Sequence, residues 1–420
     1  MLWSKMEVVL IFLVVTTINF NIAGGGPQAI SLSADLPVIT DPVILDATTQ
    51  TGYSGTPLIS IAEPGFNLPV GFFLDTGSDG SVIRGFEISL WAYAGILAIG
   101  SDGNTIEDNA LIFNDTGIEI NSDNNIIQGN FIGTNASGDF LANAIDGIRI
   151  IGNNNIIGAD PSTPDPLDGN LIGFNGGNGV NILAGAGNSI LSNIIHPNNL
   201  QRIDLGNDGP TFNDPGDVDI GVNNLQNFPE LTLVQGDGAG NFIIEGVADF
   251  QSGGTYRLEF FVDIPVIPDQ LFLGSADLVV PGPGPESFTY NFPIPPELIL
   301  GIPVDFIATA TDSLGNTSEF SDPAQFSNTI SGRVFEDLGT LGVKELSTDD
   351  ILLENVDVHL YQDVNSNNIP DAIDSFIAST TTDVDGFWEF ILPNGDFDYW
   401  VAVDSKTIGS APLLAEQTMY

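Results

Sequence analysis

The sequence predicts an all-β chain, with a right-handed parallel β-helix followed by two β-sandwiches. Three observations support this prediction. Short apolar segments separated by Asn, Gly and Asp recur through residues 81–209, which is typical of stacked coils. Beyond residue 231 the segments lengthen, alternate apolar with polar residues and are joined by Pro- and Gly-rich loops, which is typical of sandwich strands. The chain holds 27 Phe and 42% hydrophobic residues, which favours packed cores over disorder.

The first residues have the composition of a secretory signal. Lys5 precedes an apolar run from Val8 to Val15, which is shorter than the roughly 20 residues that a membrane span requires. We therefore predict a signal peptide over residues 1–24, cleaved after Ala23. A buried N-terminal strand is the alternative.

The changes of pattern along the chain set the predicted domain limits. The β-helix is expected over 25–230, the first sandwich over 231–327 and the second over 328–420. The sequence reaches Tyr420 without a sorting signal, so the last domain is expected to be truncated.

The repeats carry three kinds of marker, each opening a strand of three to five residues. The extra residues of the longer repeats fall between markers, as surface loops should. The first marker is Asn followed by apolar residues, at Asn104, Asn125, Asn155 and Asn188; the second is Gly at Gly95, Gly117, Gly147 and Gly179; the third is Asn at Asn109, Asn130, Asn170 and Asn193.

Stacking of these coils predicts both the core and its polar edges. In a strand, residues two apart share a face, so Ile118 and Ile120 should point inward. The pairs Ile148 with Ile150 and Val180 with Ile182 should stack above them, about 4.8 Å apart per coil. Asn at equivalent corners can form a ladder in which each amide bonds the next coil. The repeats resemble those of the pectate-lyase-like β-helix superfamily, over roughly residues 30–230.

That resemblance implies a possible activity on acidic polysaccharides, which enzymes of the superfamily cleave with Arg beside calcium-bound carboxylates or with paired Asp. The weak candidates here are Arg84 and Arg149. Arg149 lies in register with Glu119 one coil earlier, so we predict an outward-facing ion pair between them. No paired-Asp motif appears along the coils, since Asp349 and Asp350 lie outside them, and no catalytic residue is assigned.

An acidic segment follows the last coil and forms a second candidate cation site. Its carboxylates are Asp208, Asp214, Asp217 and Asp219. Carboxylate oxygens are the ligands that Ca²⁺ prefers. The alternative is a polar cap on the last coil, which a solenoid requires in any case.

The first sandwich has strand-like segments such as Tyr256–Val262 and Val304–Asp312. Its last segment, Ala310–Ser321, resembles the final hairpin of bacterial Ig-like modules. A Cys…Trp…Cys core is absent because the chain has no Cys, so the likeness is to the sandwich architecture.

The last module follows the order of an SdrD B-like (CnaB-type) repeat of bacterial surface adhesins over about residues 329–405. A first strand, Ile330–Asp337, and a later strand, Val356–Tyr361, lead to a polar loop, and residues 378–390 form a predicted hairpin with an Asp-Gly turn. The chain departs from the family after Asp337, where the repeated Asp and Asn ligands are missing. Arg333 occupies the first strand, so no Lys–Asn isopeptide bond is expected.

The polar loop has the ligand spacing of an EF-hand-type calcium loop, with ligands at positions 1, 3, 5, 7, 9 and 12. Asn368 replaces the usual Gly at position 6 and is the next-best residue for the left-handed conformation needed there. A solvated turn is the alternative to Ca²⁺ binding. The predicted ligands are Asp363, Asn365, Asn367, the carbonyl of Ile369, Asp371 and Asp374.

Composition excludes several functions. Lys and Arg total 8 against 55 Asp and Glu, for a net charge of −47, which excludes nucleic acid as a partner. No Cys is present, so disulfides, thiol catalysis and Cys-bound zinc are excluded. Only His196 and His359 offer imidazole. Beyond the signal peptide no segment is expected to insert in a membrane.

These features together favour a secreted or cell-surface structural and adhesive protein. Its β-helix would present a face to extracellular polysaccharide or other surface components, on a stalk stabilised by Ca²⁺. A polysaccharide lyase or glycoside hydrolase on the β-helix is the alternative, and a scaffold without a ligand is the third.

Overall fold

The computed structural model describes residues 15–23, 26–32, 36–62, 69–237, 240–264, 269–296, 298, 304–326, 328–336, 350–364, 371, 373–392, 398–404 and 417–419. Strands dominate these residues, which confirms the predicted all-β class. The helical segments among them are three short 3-10 turns, at Ala47–Thr49, Pro166–Asp168 and Val222–Leu225. No helix in the described part of the chain is long and apolar enough to cross a membrane.

Three parallel sheets form a solenoid. The chain visits the sheets in rotation, and each coil after the first adds one strand to each sheet; the first coil, with β1 and β2, adds none to the third. In pairing order, the first sheet contains β1 (Thr16–Asn19), β3 (Val43–Asp46), β6 (Val82–Arg84), β9 (Thr105–Glu107), β12 (Ile126–Gln128), β15 (Ile156–Gly158) and β18 (Ser189–Leu191). The second contains β2 (Gln28–Ser31), β4 (Ile59–Ala62), β7 (Phe86–Ser89), β10 (Ala110–Ile112), β13 (Phe131–Ile132), β16 (Leu171–Ile172) and β19 (Ile194–Ile195). The third contains β5 (Val70–Leu74), β8 (Ala94–Ile99), β11 (Thr116–Asn121), β14 (Ile148–Ile151), β17 (Val180–Ala184) and β20 (Ile203–Leu205).

The inward columns are those that the sequence predicts. Ile118 pairs with Ile148, which pairs with Val180. Ile120, Ile150 and Ile182 form the second column, and all six side chains are fully buried. Burying such a side chain contributes about 1.5–3 kcal/mol, and only a stack of coils can bury it, because a single coil has no opposite layer.

Asparagine ladders run along all three corners of the solenoid. In these ladders the side-chain Nδ2 of one Asn donates to Oδ1 of the next, at 2.8–3.2 Å, and most of these Oδ1 atoms also accept a backbone N–H from the coil before. At the last step of the first ladder, Asn223 Oδ1 accepts, among the described residues, only the backbone N–H of Asn188, at 2.9 Å. The ladders are Asn104, Asn125, Asn155, Asn188 and Asn223; Asn109, Asn130, Asn170 and Asn193; and Asn114, Asn143, Asn175 and Asn198. The repeat markers predict the first two ladders, and the third was missed.

The N-terminal strand extends the first sheet. Strand β1 lies within the predicted signal peptide and pairs in parallel with β3 along its whole length. Its four residues are exposed, and the ring of Phe20 packs edge-on against Phe86 at 5.2 Å. Cleavage after Ala23 would remove this strand; the cleavage itself remains a prediction.

The last coil ends against side chains that follow it in the chain. Its edge would otherwise expose a row of unpaired N–H groups. Instead Glu259 accepts from Ser192 N at 2.7 Å, and Gln270 accepts from Ile195 N at 2.8 Å. At a third strand Glu319 accepts from Leu205 N at 2.9 Å. Asn223, from the acidic segment, accepts from the last coil as the predicted polar cap would.

The remaining strands form smaller sheets. One sheet contains β21 (Glu230–Gly236), β22 (Asn241–Ala248) and β25 (Glu286–Pro293); another contains β24 (Asp269–Val280), β23 (Gly254–Ile264), β26 (Asp305–Thr311) and β27 (Ala324–Gln325). Further along, β28 (Asn328–Arg333) pairs with β33 (Phe387–Leu392), and β29 (Phe335–Glu336) pairs with β30 (Ile351–Leu352). The last sheet contains β32 (Ser375–Thr381), β31 (Asp357–Asp363), β34 (Asp398–Val403) and β35 (Gln417–Met419).

The predicted hairpin over residues 378–390 is wrong as a pair of strands. Its Asp-Gly turn is present, with Gly386 N donating to the carbonyl of Asp383 at 2.9 Å and Gly386 at φ +67°. However, β32 pairs with β31, whereas β33 pairs with β28 in another sheet. The turn therefore carries the chain from one sheet to the other.

The chain divides into two compact units. The first takes in Met1–Thr232, Glu245–Tyr290 and Phe306–Pro323, and the second Leu233–Ile244, Asn291–Asp305 and Ala324–Tyr420. The solenoid and the residues that cap its last coil thus belong to one unit. The domain limits expected from the sequence remain predictions.

Replacing Asn130 with Ala should destabilise the solenoid. Asn130 is buried, donates to the carbonyl of Ile106 at 2.8 Å and accepts from Asn109 N at 3.0 Å. Loss of the amide leaves several buried groups unpaired, so we expect the free energy of unfolding to fall by at least about 2 kcal/mol. Denaturant titration followed by circular dichroism measures this. Asn199→Ala, which removes one exposed hydrogen bond, is the control, and equal losses in both variants would contradict the ladder's role.

The buried cap should make stability depend on pH. Burial raises the pKa of Glu319, and also that of Glu259. A carboxyl group whose pKa is higher in the folded than in the unfolded state stabilises the folded state while it is protonated. This stabilisation is complete below the pKa of the unfolded state and is lost as pH rises through the pKa of the folded state. The unfolding free energy should therefore fall as pH rises above about 4.5, and the fall should be shallower in Glu319→Gln. Denaturant titrations across that range check this, with exposed Glu230→Gln as control; an unchanged slope in Glu319→Gln would contradict it.

Candidate metal centre

The loop between β20 and β21 gathers three of the four predicted acidic ligands. Carboxylate oxygens of Asp214, Asp217 and Asp219 all lie within 4.8 Å of one another. Among the described residues this is the one set of three acidic or imidazole side chains so placed. Such a spacing allows one hard cation to contact all three.

Local hydrogen bonds hold these side chains in place. Asp217 has φ +53° and is 1% exposed. Its carboxylate accepts from Asn227 N and from Gln226 Nε2, each at 2.9 Å. Asp214 accepts from Val218 N at 3.2 Å. The carboxylates of Asp214 and Asp217 therefore hold the backbone of their own loop in place.

The electrostatics of the loop are unfavourable without a counter-charge. Burial raises the pKa of Asp217 to about 6, with hydrogen bonds from Asn227 and Gln226 opposing the rise and the Asp214 and Asp219 charges adding to it. Burial also raises the pKa of Asp219. The Oδ1 atom of Asp219 is buried and has no hydrogen-bond partner within the described ranges. A divalent cation would supply both the charge and the missing partner.

Asp208 lies outside this group, and its role as a ligand of the second site remains a prediction. It lies in the turn directly after β20, where its backbone N donates to Asp204 Oδ1 at 3.3 Å and its side chain is exposed. Spacing along the chain could not separate Asp208 from the others, because all four carboxylates lie in one short acidic segment.

The predicted EF-hand-type loop is described only at its ends. Asp363 closes β31 and is 3% exposed. Asp371 N donates to Asp374 Oδ2 at 2.9 Å, and Asp374 Oδ1 is buried with no hydrogen-bond partner in the described part of the chain. The other predicted ligands, Asn365, Asn367 and Ile369, lie outside the described residues, so Ca²⁺ binding by this loop remains a prediction.

The arginines of the coils are held by carboxylates. Arg149 NH1 lies 3.4 Å from Glu119 Oε2, which confirms the predicted cross-strand pair, and its NH2 lies 2.9 Å from Asp146 Oδ2. Sequence reasoning missed Asp146, because it comes from the corner before β14 rather than from a paired strand. Asn181 donates to the same Asp146 carboxylate at 3.0 Å.

Arg84 is held in the same way on the first sheet. It bonds Asp46 at 2.6 Å and Glu107 at 3.0 Å, one from each adjacent coil. The hydrogen bond to Asp46 raises the pKa of Arg84 above its ordinary value. An arginine that acts as a base must release a proton, and two carboxylates favour its charged form.

Comparisons with known proteins add little. None of the known protein-family profiles matches this chain. Among solved structures the chain is similar to the major pilin subunit of Bacillus cereus, with 10% identity, over 43% of this chain and 59% of the pilin chain. The TM-score is 0.15, and so weak a likeness supports no inference about fold or function.

Calcium should stabilise the chain through Asp219. In wild type, Ca²⁺ at one hundred times its Kd should add roughly 2.7 kcal/mol to the free energy of unfolding. Asp219→Asn removes a like charge, so in chelator it should be at least as stable as wild type, and it should lose the calcium-dependent gain. Calorimetry of the full chain with calcium and with EDTA measures both effects.

Asp208→Asn is the matched control and should keep the gain, because Asp208 lies outside the group. Asp374→Asn tests the other loop separately and should remove a distinct part of the gain. A gain of the same size in wild type and in Asp219→Asn would rule out the 214–219 loop as a site.

Proposed function

We propose that this protein is an extracellular or cell-surface structural protein with an adhesive role. Its solenoid is a stiff rod that presents a lateral face to extracellular polysaccharide or other surface components. Calcium ions neutralise the acidic loops at residues 214–219 and 363–374. The mature chain works outside the cell, where calcium is abundant enough for sites of modest affinity.

The continuous asparagine ladders are the observation that carries this proposal. Buried Asn side chains along each corner donate hydrogen bonds to the next coil, as Asn125 Nδ2 does to Asn155 Oδ1 at 2.9 Å. A stack joined in this way resists bending and slipping, because any movement between coils breaks buried hydrogen bonds. Stiffness of this kind suits a spacer or a display surface.

The charge of the chain supports an exterior, cation-rich setting. A net charge of −47 on 420 residues opposes the compact state by self-repulsion. Divalent cations relieve that repulsion. They also replace, in a chain without Cys, the cross-links that extracellular proteins commonly use.

The polysaccharide lyase or hydrolase alternative is less well supported. Its two candidate bases, Arg84 and Arg149, each contact two carboxylates. A carboxylate beside Arg149 has a further hydrogen-bond partner, because Glu119 also accepts from the Tyr93 hydroxyl at 2.7 Å. This arrangement stabilises the packing of coils and offers no base for proton abstraction.

Incubation with polysaccharides tests the proposal directly. The full chain with calcium should produce no unsaturated product from polygalacturonate or alginate, as followed by ultraviolet absorbance, and no new reducing ends. Turnover that disappears in Arg149→Ala or in Arg84→Ala would show that the solenoid is an enzyme and would identify the base.

A further inference from the structure

The three corners of the solenoid share a backbone rule. The residue before a ladder Asn commonly has a positive φ, which turns the chain sharply into the next strand. At two corners the residues with positive φ are ones that tolerate it: Gly103, Asn124, Asn154 and Gly187 at the first, and Asp108, Gly129 and Ser192 at the second.

The third corner breaks this pattern of residue choice. The equivalent positions there are Leu90 at φ +69°, Phe113 at +56° and Phe174 at +62°. Bulky side chains are strained in this region, because Cβ approaches the following carbonyl oxygen, whereas Gly and Asn are accommodated. Backbone geometry alone would favour small residues at this corner, as at the other two, where Gly, Asn, Asp and Ser occupy these positions. Strain that the fold does not require is a mark of function.

Burial does not explain these side chains either. Leu90 is 52% exposed and Phe113 47% exposed. Phe140, in the loop that follows β13, is 70% exposed, and its ring lies 5.4 Å from that of Phe174. They lie outside the buried core of the solenoid, and removing them should cost the core little.

Four of these side chains lie on successive coils, and we call them the corner ladder: Leu90, Phe113, Phe140 and Phe174. They follow four successive strands of the second sheet, β7, β10, β13 and β16. Phe113 N donates to the carbonyl of Leu141, the residue after Phe140, at 3.2 Å. This bond joins the coil that contains β10 to the coil that contains β13. The corner ladder therefore has one apolar side chain per coil, and successive coils are about 4.8 Å apart.

We propose that the corner ladder binds an uncharged polysaccharide chain. The corner ladder presents one apolar side chain per coil, so it fits an extended polymer of flat rings better than a protein surface, which needs a broad patch. Rings of the sugar would lie on the phenyl groups through their apolar faces. Asp115 and Asp139 are near neighbours of Phe113 and Phe140 in sequence, and the chain is strongly acidic, so a polyanion would be repelled.

This inference names the ligand class and the face for the adhesive part of the proposed function. Its failure is distinguishable from failure of that function as a whole. Calcium stabilisation and the absence of turnover test the structural role, whereas polysaccharide binding tests only the corner ladder of apolar side chains.

Co-sedimentation with insoluble cellulose and chitin, and affinity electrophoresis in mixed-linkage β-glucan, test the proposal on the full chain. Wild type should bind at least one of these polymers and should not bind polygalacturonate. The double variant Phe113→Asn, Phe174→Asn should bind at least tenfold more weakly. Its melting temperature should be unchanged or higher, because Asn is less strained at these positions. Leu167→Asn, at a residue 87% exposed and outside the corner ladder, should bind as wild type does.

Four results would overturn the proposal. The first is that wild type binds none of the three neutral polymers. The second is that the double variant binds them as well as wild type does. The third is that the double variant melts at a clearly lower temperature, which would make the rings part of the coil packing. The fourth is that wild type self-associates in analytical ultracentrifugation and the double variant does not, which would make the corner ladder a contact between copies.

Phe140→Ala, at an exposed residue with ordinary backbone geometry, gives an independent check and should also weaken binding.

Discussion

Hydrogen bonds between successive coils are the constraint on which this structure depends. At each sharp corner the backbone turns away from its sheet, and its N–H groups need partners inside the protein. The Asn of the following coil supplies them, as Asn130 does for Asn109 at 3.0 Å. The apolar columns can stack only because these polar groups are satisfied. The corners therefore fix the spacing, and the Ile and Val side chains fill the interior that results.

The same constraint determines how the rod ends. The last coil has no following Asn at most of its corners, so other side chains must accept its N–H groups. Glu259 and Glu319 do this from strands and turns far along the chain. A carboxylate accepts several N–H groups at once, but its burial opposes ionisation and raises its pKa. The acidic loop at residues 214–219 carries the same conflict, and a bound cation would resolve it.

Local periodicity predicted much of this structure, and long-range pairing was beyond it. The inward columns and the Glu119–Arg149 pair follow from a period of two along strands and a fixed register between coils. The third ladder was missed because an insertion separates Asn143 from β13, the strand before it. Glu259 and Glu319 were missed because nothing periodic links them to the last coil. The Asp-Gly turn at Gly386 was recognised, but a turn does not reveal whether its two strands pair with each other.

The ladders also bear on how such a rod arises. An inner coil makes its ladder contacts with the two coils beside it, so its stability is set largely by nearest-neighbour interactions. If the segment between Asn125 and Asn155 were duplicated in place, the new coil would lie between two existing coils. Its ladder Asn would accept from the Asn of the coil before it and donate to the Asn of the coil after it. Gene duplication could thus lengthen the molecule one coil at a time without new chemistry, and each added coil would carry its own corner positions for evolution to vary.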